Sequence, residues 1–336
     1  MNIYILYENA DWMIPLRREL ERAELPYKEW FIQDGYVDLM CEPPPGLFIN
    51  RISPSSHTRG HGNSIDFTRE LLAWLESYGR RVINGSRAFA METSKVGQYA
   101  TLRKANLRTP RTIAVSGNQE DLREAGAAMS LPFITKHNCG GKGLGVKLFR
   151  SRDAFEEFVA NGDYEKPVDN IMLLQEYIVA PQPFITRVEI VGEEFLYAVK
   201  VDTSRGFELC PAESCEIGDA FCPTSDAEEP ATVDRQTLFS LREGFDDPII
   251  DQYISVMREN KIDVAGFEFI EDAQGNKYTY DINGTTNYSP AVESRHGLNG
   301  MAAIVQLAAG ALRAVQTDER NEPAGAECGY KFREQL

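Results

Sequence analysis

The sequence lacks any run of about 18 apolar residues, roughly the length that a membrane-spanning helix needs. Its first residues, MNIYILYENADW, also lack the basic segment, apolar core and cleavage site of a secretory signal peptide. Basic residues are in the minority, 35 against 51 acidic ones, and the net charge of -16 repels nucleic-acid phosphates and anionic membranes. We therefore expect a cytoplasmic protein with neither nucleic acid nor a membrane as a partner.

Cysteine is also scarce, with 6 residues in a chain of 336 and no CxxC pair. This usage favours a reduced compartment over a disulfide framework. Cys210, Cys215 and Cys222 lie near one another in the sequence, but their spacings match no zinc pattern. We favour ordinary thiols over a metal site for these three.

The chain contains alternating apolar runs and amphipathic segments, which predict a mixed α/β (α+β) protein. Residues 2–7, 47–49 and 82–83 have the pattern of strands, and a helical stripe runs from Ile65 to Tyr78. Short strands follow a helix at 94–106, longer strands begin near Phe184, and an apolar helix covers 300–315. The predicted units are 1–92, an α/β domain; 93–180, a smaller α+β unit; 181–318, a second α+β unit; and 319–336, a loosely held tail.

The segment FITKHNCGGKGLGVKLF predicts a strand, a glycine-rich loop and a second strand. Glycines at 140, 141, 143 and 145 let backbone amides fold over an anionic group, and Lys136 and Lys142 add positive charge beside it. Phosphate is the obvious anion. A surface hairpin without a ligand is the alternative.

Two neighbouring strands, DVAGFEFIE and NKYTYDIN, predict a second polar cluster. Period-two alternation places Phe267, Phe269, Tyr278 and Tyr280 on one face, and the oxygen-bearing residues, including Thr279, on the other. A turn centred on Gln274 and Gly275 would pair residues whose numbers add to 549, so Glu268 would face Asp281, with Asn283 beside them.

Like charges in such a pair are unfavourable unless a cation lies between them. Oxygen ligands suit Mg²⁺, which completes its shell with water and phosphate. The alternative is a pair of solvated carboxylates on an exposed face.

These elements occur in one order: Lys95 at a helix start, Lys136 before the glycine loop, Gln175-Glu176-Tyr177-Ile178, Arg187, and the set Glu268, Asp281 and Asn283. That order resembles the ATP-grasp superfamily, and within it the RimK-like carboxylate–amine ligases, over residues 47–315. The resemblance implies an ATP-grasp fold with an N-terminal Rossmann-like pre-ATP-grasp domain. The predicted units then become that domain, a central ATP-grasp subdomain with the glycine loop, and a C-terminal ATP-grasp subdomain with the metal site.

The resemblance also implies roles for individual residues. Lys95 and Lys136 would contact nucleotide phosphates, Gly140 to Gly145 would close over them, and residues 175–178 would bind the adenine edge. Glu268, Asp281 and Asn283 would hold Mg²⁺, usually two ions in this family, with Mn²⁺ as a second candidate. Arg187 would stabilise the transferring phosphoryl group, assisted by Lys200.

Three positions depart from the family pattern. Ile185 stands where relatives carry an acid that contacts the ribose, so another residue such as Gln182 would have to replace it. Asp281 stands where Glu is common, and Ser94 where Asp is common. None of these changes removes a phosphate or metal ligand.

The implied activity is ATP-dependent condensation of a carboxylate with an amine through an acyl phosphate, releasing ADP and phosphate. The substrates would be small molecules or peptides, and homo-oligomers are common among similar proteins. An ATP-grasp kinase or other phosphotransferase, and a non-catalytic ATP-binding regulatory protein, remain alternatives.

One polar loop is a candidate substrate site. The segment NRISPSSHTRGHGNS contains Arg51, His57, Arg59 and His61, in a chain with only 4 histidines. It is either a binding loop for an anionic or amino-acid-like substrate or an ordinary solvated loop. Arg205 lies where relatives contact the acceptor.

Overall fold

The computed structural model describes residues 1–141, 143, 145–162, 164–204, 238–318 and 329–333. Cys210, Cys215 and Cys222 lie outside these residues. The strands are β1 (Asn2–Tyr7), β2 (Tyr27–Val37), β3 (Gly46–Arg51), β4 (Arg81–Ile83), β5 (Thr112–Val115), β6 (Phe133–His137), β7 (Lys147–Phe149), β8 (Met172–Glu176), β9 (Phe184–Val191), β10 (Glu194–Asp202), β11 (Phe239–Leu241), β12 (Val264–Glu271), β13 (Lys277–Asn283) and β14 (Tyr330–Arg333). The helices are α1 (Ala10–Arg22), α2 (Asn63–Ser77), α3 (Ser86–Glu92), α4 (Lys95–Lys104), α5 (Gln119–Ala128), α6 (Arg152–Asn161), α7 (Ile249–Asn260), α8 (Pro290–His296) and α9 (Gly300–Asp318), with a 3₁₀ helix at Ser56–Arg59.

The strands form three sheets, which confirms the mixed α/β class. The first sheet has the order β14-β2-β1-β3-β4, and β1 to β4 are parallel. The second has the order β5-β8-β6-β7, and the third β11-β10-β9-β12-β13, with antiparallel neighbours throughout. Each of the three larger predicted units therefore contains most or all of one sheet, while β14 comes from the predicted tail, and the boundaries themselves stay a prediction.

Two features of the first sheet differ from what the sequence predicted. The strand β2 was missed because only Trp30, Phe31 and Ile32 are buried among charged and exposed neighbours, so its apolar run is short. The loosely held tail at 319–336 includes β14, which pairs antiparallel with β2. The rings of Tyr330 and Phe332 pack on Trp30, with centroids 4.9 and 4.5 Å from its ring, and this aromatic contact favours pairing over solvation.

The helix α9 covers one face of the first sheet. Its apolar side chains, such as Ile304 and Leu312, share a buried cluster with Ile3, Ile5 and Leu47. The last long helix thus packs against the first strands of the chain, and it also touches β9 of the third sheet. Burial of this apolar stripe joins the first sheet to the third.

The second and third sheets are each backed by helices on one face. Phe133 and Phe149 of the second sheet pack on Phe155 of α6. In the third sheet, Phe267 stacks on Tyr253 of α7, with ring centroids 4.1 Å apart. The opposite faces of these two sheets line the cavity described below.

The β12–β13 hairpin pairs Glu268 with Asp281, as predicted. Next to the turn the register is shifted by one residue, since Phe269 pairs with Thr279 and Glu271 with Lys277. An irregularity between Glu268 and Phe269, where β13 holds one extra residue, restores the predicted register beyond it.

This β-bulge changes the faces on which side chains lie. Thr279 belongs to the core face, where it is fully buried and hydrogen-bonds to Tyr253. Tyr280 lies on the other face, beside Glu268. The prediction that Tyr280 shares a face with Phe267, and that Thr279 opposes it, is therefore wrong.

Among the described residues no single helix has the length and apolar character needed to cross a membrane. The helices α8 and α9, bent by 87°, meet that test only when taken together.

Candidate functional site

A cavity of about 890 Å³ lies between the second and third sheets. Residues of β6, β7 and β8 line one wall, and residues of β9, β12 and β13 line the other. The predicted residues that line it are Lys95, Lys136, Gly140, Gly141, Gly143, Gln175, Glu176, Tyr177, Ile178, Arg187, Glu268, Asp281 and Asn283. The structure thus brings together nearly all of the predicted nucleotide and metal ligands that it describes.

Lys95 enters the cavity from the first turn of α4. Ser94 caps this helix, accepting a hydrogen bond from the Gly97 amide at 3.1 Å. Asn138, at the start of the glycine loop, holds the same turn, since its Oδ1 accepts from the Val96 amide at 2.8 Å. Lys95 Nζ donates to Asp281 Oδ1 at 2.7 Å, so the helix, the loop and β13 meet at one point.

The second lysine is buried beside aromatic side chains. Lys136 Nζ donates to the Tyr99 hydroxyl at 3.3 Å and lies 5.4 Å from the centroid of the Tyr280 ring. Tyr99 in turn donates to Gln175 Oε1 at 2.5 Å. Burial, together with the nearby charge of Lys95, lowers the pKa of Lys136 to about 7. A phosphate bound here would favour the protonated lysine, and protonating Lys136 near neutral pH costs little free energy.

Two carboxylates stand opposite each other in this wall. Burial, and then the charge of Asp281, raise the pKa of Glu268 above its ordinary value. The pKa of Asp281 lies below its ordinary value, since Lys95 and Lys136 outweigh the effect of burial. Asn283 Nδ2 lies 3.3 Å from Glu268 Oε1. Asp281 is paired with Lys95, whereas Glu268 has only the 3.5 Å contact with Arg187 and keeps a raised pKa, which a bound cation would lower.

Within the described residues no cluster of three or more His, Cys, Asp or Glu side chains is placed to hold a metal. The predicted set has two carboxylates and one amide. It fits Mg²⁺ rather than zinc, because Mg²⁺ uses few protein carboxylates and keeps water or phosphate oxygens as its other ligands.

Arg187 lies beside Glu268 in the β9–β12 register. Its Nε donates to Glu189 Oε1 at 2.6 Å, its Nη1 lies 3.5 Å from Glu268 Oε1, and its Nη2 donates to Thr286 Oγ1. Burial works against its charge, but Glu189 and Glu268 overcome this and raise the pKa of Arg187. Glu189 and Thr286 were not predicted, because no local motif marks them.

The opposite end of the cavity is apolar. Ile134 and Leu148 face it from the second sheet, and Ile185 and Ile270 from the third. The Glu176 and Tyr177 amides already donate to Arg111 O and Pro132 O, at 2.8 and 3.2 Å. The Ile178 amide has no hydrogen-bond partner within the described part of the chain. Gln182, the suggested ribose ligand, also lines the cavity.

The glycine loop packs on two polar residues. A Cβ at Gly145, whose φ is +69°, would overlap the imidazole ring of His137. A Cβ at Gly141 would lie 3.5 Å from Ser55 Cβ, so the loop also touches the segment after β3. Gly145 is not part of the cavity wall itself, and Lys142 lies outside the described residues. Burial raises the pKa of the Cys139 thiol to about 11, in line with a packing role.

The residues of the predicted substrate loop lie outside the cavity wall. Glu8, at the end of β1, binds Arg59 Nη2 at 2.6 Å and His61 Nδ1 at 3.1 Å. Arg51 donates to Thr286 O and Asn287 Oδ1, at 3.0 and 3.1 Å. His57 Nδ1 meets Pro54 O at 3.1 Å, while its Nε2 is buried and has no partner among the residues that the structure describes. The structure therefore gives most of this loop a role in holding the first sheet against its neighbours.

Two other predicted residues have less to do with the cavity. Lys200 Nζ lies 4.9 Å from the centroid of the Phe184 ring and does not line the cavity. Arg205 lies outside the described residues. Their roles stay predictions.

Sequence reasoning also missed Asn84 and Glu92, which tie the first sheet to the loop after β13. Asn84 Nδ2 donates to Val264 O and Gly284 O, both at 2.9 Å. Glu92 accepts from the Thr285 amide at 2.7 Å. The positive φ of Asn84, 52°, is a backbone feature that Asn tolerates, but the sequence does not display it.

Solved structures similar to this chain include ATP-grasp proteins. The ATP-grasp ligase PsnB, complexed with minimal precursor, Mg and ADP, is 17% identical with a TM-score of 0.59, and the match covers 93% of this chain and 96% of that one. The chain adopts the ATP-grasp fold. A RimK domain ATP-grasp protein from Sphaerobacter thermophilus is 14% identical with a TM-score of 0.61, covering 92% of this chain and 100% of the other.

A third ATP-grasp structure, D-cycloserine synthetase DcsG, is 15% identical with a TM-score of 0.60, covering 92% of this chain and 99% of the other. No protein-family model matches the sequence, and no curated protein is significantly similar to it. The likeness is therefore one of fold, and the geometry of the cavity described above carries the functional argument.

Proposed function

We propose that this protein is an ATP-dependent ligase that joins a carboxylate to an amine and releases ADP and phosphate. The observation that carries the proposal is a single cavity with an apolar end and a charged end. The charged end holds two lysines, an arginine and a facing pair of carboxylates. Structural neighbours include the ATP-grasp ligase PsnB, complexed with minimal precursor, and the macrocyclase MdnC, bound with a precursor peptide, so a ligase and a macrocyclase share the fold.

The apolar end fits a nucleotide base. Ile134 and Leu148 would lie on one side of it and Ile185 and Ile270 on the other, while the free Ile178 amide offers a donor at its edge. Apolar walls with a few placed polar groups are typical of nucleotide sites. The missing acid at Ile185 leaves Gln182 as a candidate for the ribose.

The charged end fits the phosphates and their metal. Lys95 and Lys136 supply positive charge, and Gly140, Gly141 and Gly143 line the same cavity, where their amides would contact the phosphates. Glu268, Asp281 and Asn283 would hold Mg²⁺, in one ion or two, with Mn²⁺ as a substitute. The metal would neutralise charge on the phosphate oxygens.

The proposed chemistry has two balanced steps. A substrate carboxylate oxygen attacks the γ-phosphorus of ATP, the bond to the β-phosphate oxygen breaks, and an acyl phosphate and ADP result. An amine then attacks the acyl carbon, phosphate leaves, and the amine loses a proton. Arg187 would stabilise the negative charge that develops in both steps.

The substrates would be small molecules or peptides that carry a carboxylate and an amine. Arg51, Arg59 and His61 already have partners inside the protein, so His57, whose buried Nε2 has no partner among the described residues, is the loop residue that we assign to a substrate contact. The contact between Ser55 and Gly141 brings this loop next to the phosphate end.

Mg²⁺-ATP turnover against a panel of amino acids, dipeptides and dicarboxylic acids tests the proposal. We expect amine-dependent ADP release and a product lighter by one water than its two substrates, measured by mass spectrometry. A phosphorylated product without condensation would indicate a kinase. ATP binding without turnover, in the wild type as in Asp281→Asn, would favour a regulatory protein.

A further inference from the structure

Thr286 is completely buried and contacts two arginines, Arg187 and Arg51. Its Oγ1 accepts a hydrogen bond from Arg187 Nη2 and donates to Glu189 Oε2 at 2.9 Å. Its carbonyl oxygen accepts from Arg51 Nη1 at 3.0 Å. Thr286 is therefore held by the first sheet through Arg51 while it contacts the arginine of the cavity.

Glu189 completes the arrangement from the strand that carries Arg187. Its Oε1 accepts from Arg187 Nε at 2.6 Å, so both carboxylate oxygens are used within the cluster. The neighbouring strand has Gly266 at this point, and a Cβ there would lie 2.7 Å from Arg187 Nε and 2.8 Å from Glu189 Oε2. The sequence leaves room for this ion pair where any larger residue would displace it.

A guanidinium is planar, so fixing Nε and Nη2 fixes the direction of the remaining N–H groups. Nη1 is the nitrogen left on the side of Glu268, which lines the cavity together with Arg187. We propose that Thr286 and Glu189 are positioning residues that hold the Arg187 guanidinium in the orientation needed at the reacting groups. The catalytic part of this inference rests on the proposed ligase function, whereas the orientation of Arg187 does not.

The test compares Thr286→Val, which is isosteric but lacks the hydroxyl, with Thr286→Ser, which retains it. Thr279→Val is the matched control, because Thr279 is also fully buried and its hydroxyl bonds to Tyr253, outside the Arg187 cluster. The first readout is hydrogen exchange of the Arg187 Nε–H by NMR, which needs no substrate. The second is kcat, KM for ATP and ATP affinity with an active substrate pair.

We expect Thr286→Val to speed exchange of the Arg187 Nε–H at least ~10-fold and to lower kcat by roughly 10- to 100-fold, with ATP affinity nearly unchanged. Thr286→Ser should keep the exchange rate and kcat near their wild-type values, and Thr279→Val should change neither. Unchanged exchange in Thr286→Val would overturn the inference. So would equal losses of kcat in Thr286→Val and Thr279→Val, which indicate general destabilisation. If the wild type turns over no substrate pair, the ligase proposal fails, and the exchange comparison still decides whether Thr286 orients Arg187.

Discussion

Lys95 Nζ and Asp281 Oδ1 lie 2.7 Å apart, although the two residues are 186 positions apart in the sequence. The contact joins the first turn of α4 to the end of β13, so Lys95, a proposed phosphate ligand, and Asp281, a proposed metal ligand, form one electrostatic unit. Asp281 also faces Glu268 across the hairpin. A metal ion at this pair would take over part of the role that Lys95 plays towards Asp281.

Asp281→Asn should therefore abolish turnover while leaving nucleotide binding largely intact. The amide keeps the shape of the side chain but removes the negative charge that attracts the cation. We therefore expect at least a ~100-fold loss of kcat. Asp247→Asn is the control, since Asp247 pairs with Lys277 outside the cavity. Turnover is followed by ADP release over a range of Mg²⁺ concentrations, and normal activity in Asp281→Asn would remove this residue from the metal set.

The Glu268–Asp281 pair also shows how much of the structure could be predicted from the sequence. Alternation and a turn signal correctly predicted that Glu268 faces Asp281. The strand register next to the turn is nevertheless shifted by one residue, and a bulge restores the predicted pairing. A bulge depends on the packing of the neighbouring strand and helix, and here it turns Thr279 towards Tyr253 and leaves Tyr280 beside Glu268. Sequence periodicity contains no information about that packing.

Residues with distant partners were missed for a related reason. Glu92 and Thr285 are separated by 193 positions, and Glu189 and Thr286 by 97. Each looks like an ordinary polar residue in its own segment. Lys136 and the glycines could be predicted because their local context, a strand followed by a glycine-rich loop, is itself the signal. Lys95 was identified only through the resemblance to ATP-grasp enzymes.

Lys136 should make nucleotide binding depend on proton uptake. Its pKa is lowered to about 7 by burial and by Lys95, so above pH 7 the lysine is increasingly neutral in the free protein. A bound triphosphate favours the charged form, and binding should take up on the order of one proton between about pH 7.5 and 9.5. Calorimetry of ATP binding without Mg²⁺, in buffers of different ionisation enthalpy, measures this uptake.

Lys136→Arg supplies the comparison, because arginine stays charged throughout this range. The variant should bind ATP without the proton uptake seen in the wild type. Equal uptake in both proteins would assign the proton to another group. Lys136→Ala should bind ATP more weakly at every pH, and an unchanged affinity would place Lys136 away from the phosphates.

Gly145→Ala should displace the glycine loop. The added Cβ meets the His137 ring, and the backbone at φ +69° is unfavourable for alanine in addition. Gly275→Ala separates the two effects, since Gly275 has φ +79° but no atom within 4 Å of an added Cβ. We expect a stability loss of about 1 kcal/mol for Gly275→Ala and about 2–5 kcal/mol for Gly145→Ala. Urea denaturation measures both, and ATP affinity should fall only in Gly145→Ala.

The double variant His137→Ala, Gly145→Ala tests the cause. Removing the imidazole makes room for the new methyl group, so the double variant should lose less stability than the sum of the two single changes. Additive losses would show that contact with His137 is not what makes Gly145 necessary.

Glu92 should make the stability of the fold depend on pH. Burial raises its pKa to about 7, against the opposing hydrogen bonds from Thr285. The geometry agrees with a protonated carboxyl group: the single Thr285 hydroxyl hydrogen can serve Ile52 O at 3.0 Å, while a proton on Glu92 Oε2 serves Thr285 Oγ1 at 3.2 Å.

A carboxyl group whose pKa is higher in the folded than in the unfolded state contributes stability that is present at low pH and is lost as pH rises through the folded pKa. The loss for Glu92 should therefore occur between about pH 4.5 and 7 and amount to about 3 kcal/mol. Glu92→Gln imitates the protonated form at every pH. Its stability relative to the wild type should rise across this window and stay constant above it, in urea denaturation at pH 5, 6, 7 and 8.

Glu76→Gln is the control, because Glu76 is exposed and also accepts a backbone amide, that of Ser86 at 2.8 Å. It removes the same charge outside the buried cluster. If Glu92→Gln differed from the wild type by the same amount at pH 5 and pH 8, Glu92 would be ionised throughout. The Thr285 hydroxyl would then have to donate to Glu92, leaving Ile52 O without its hydrogen bond, because one hydroxyl hydrogen cannot serve both oxygens.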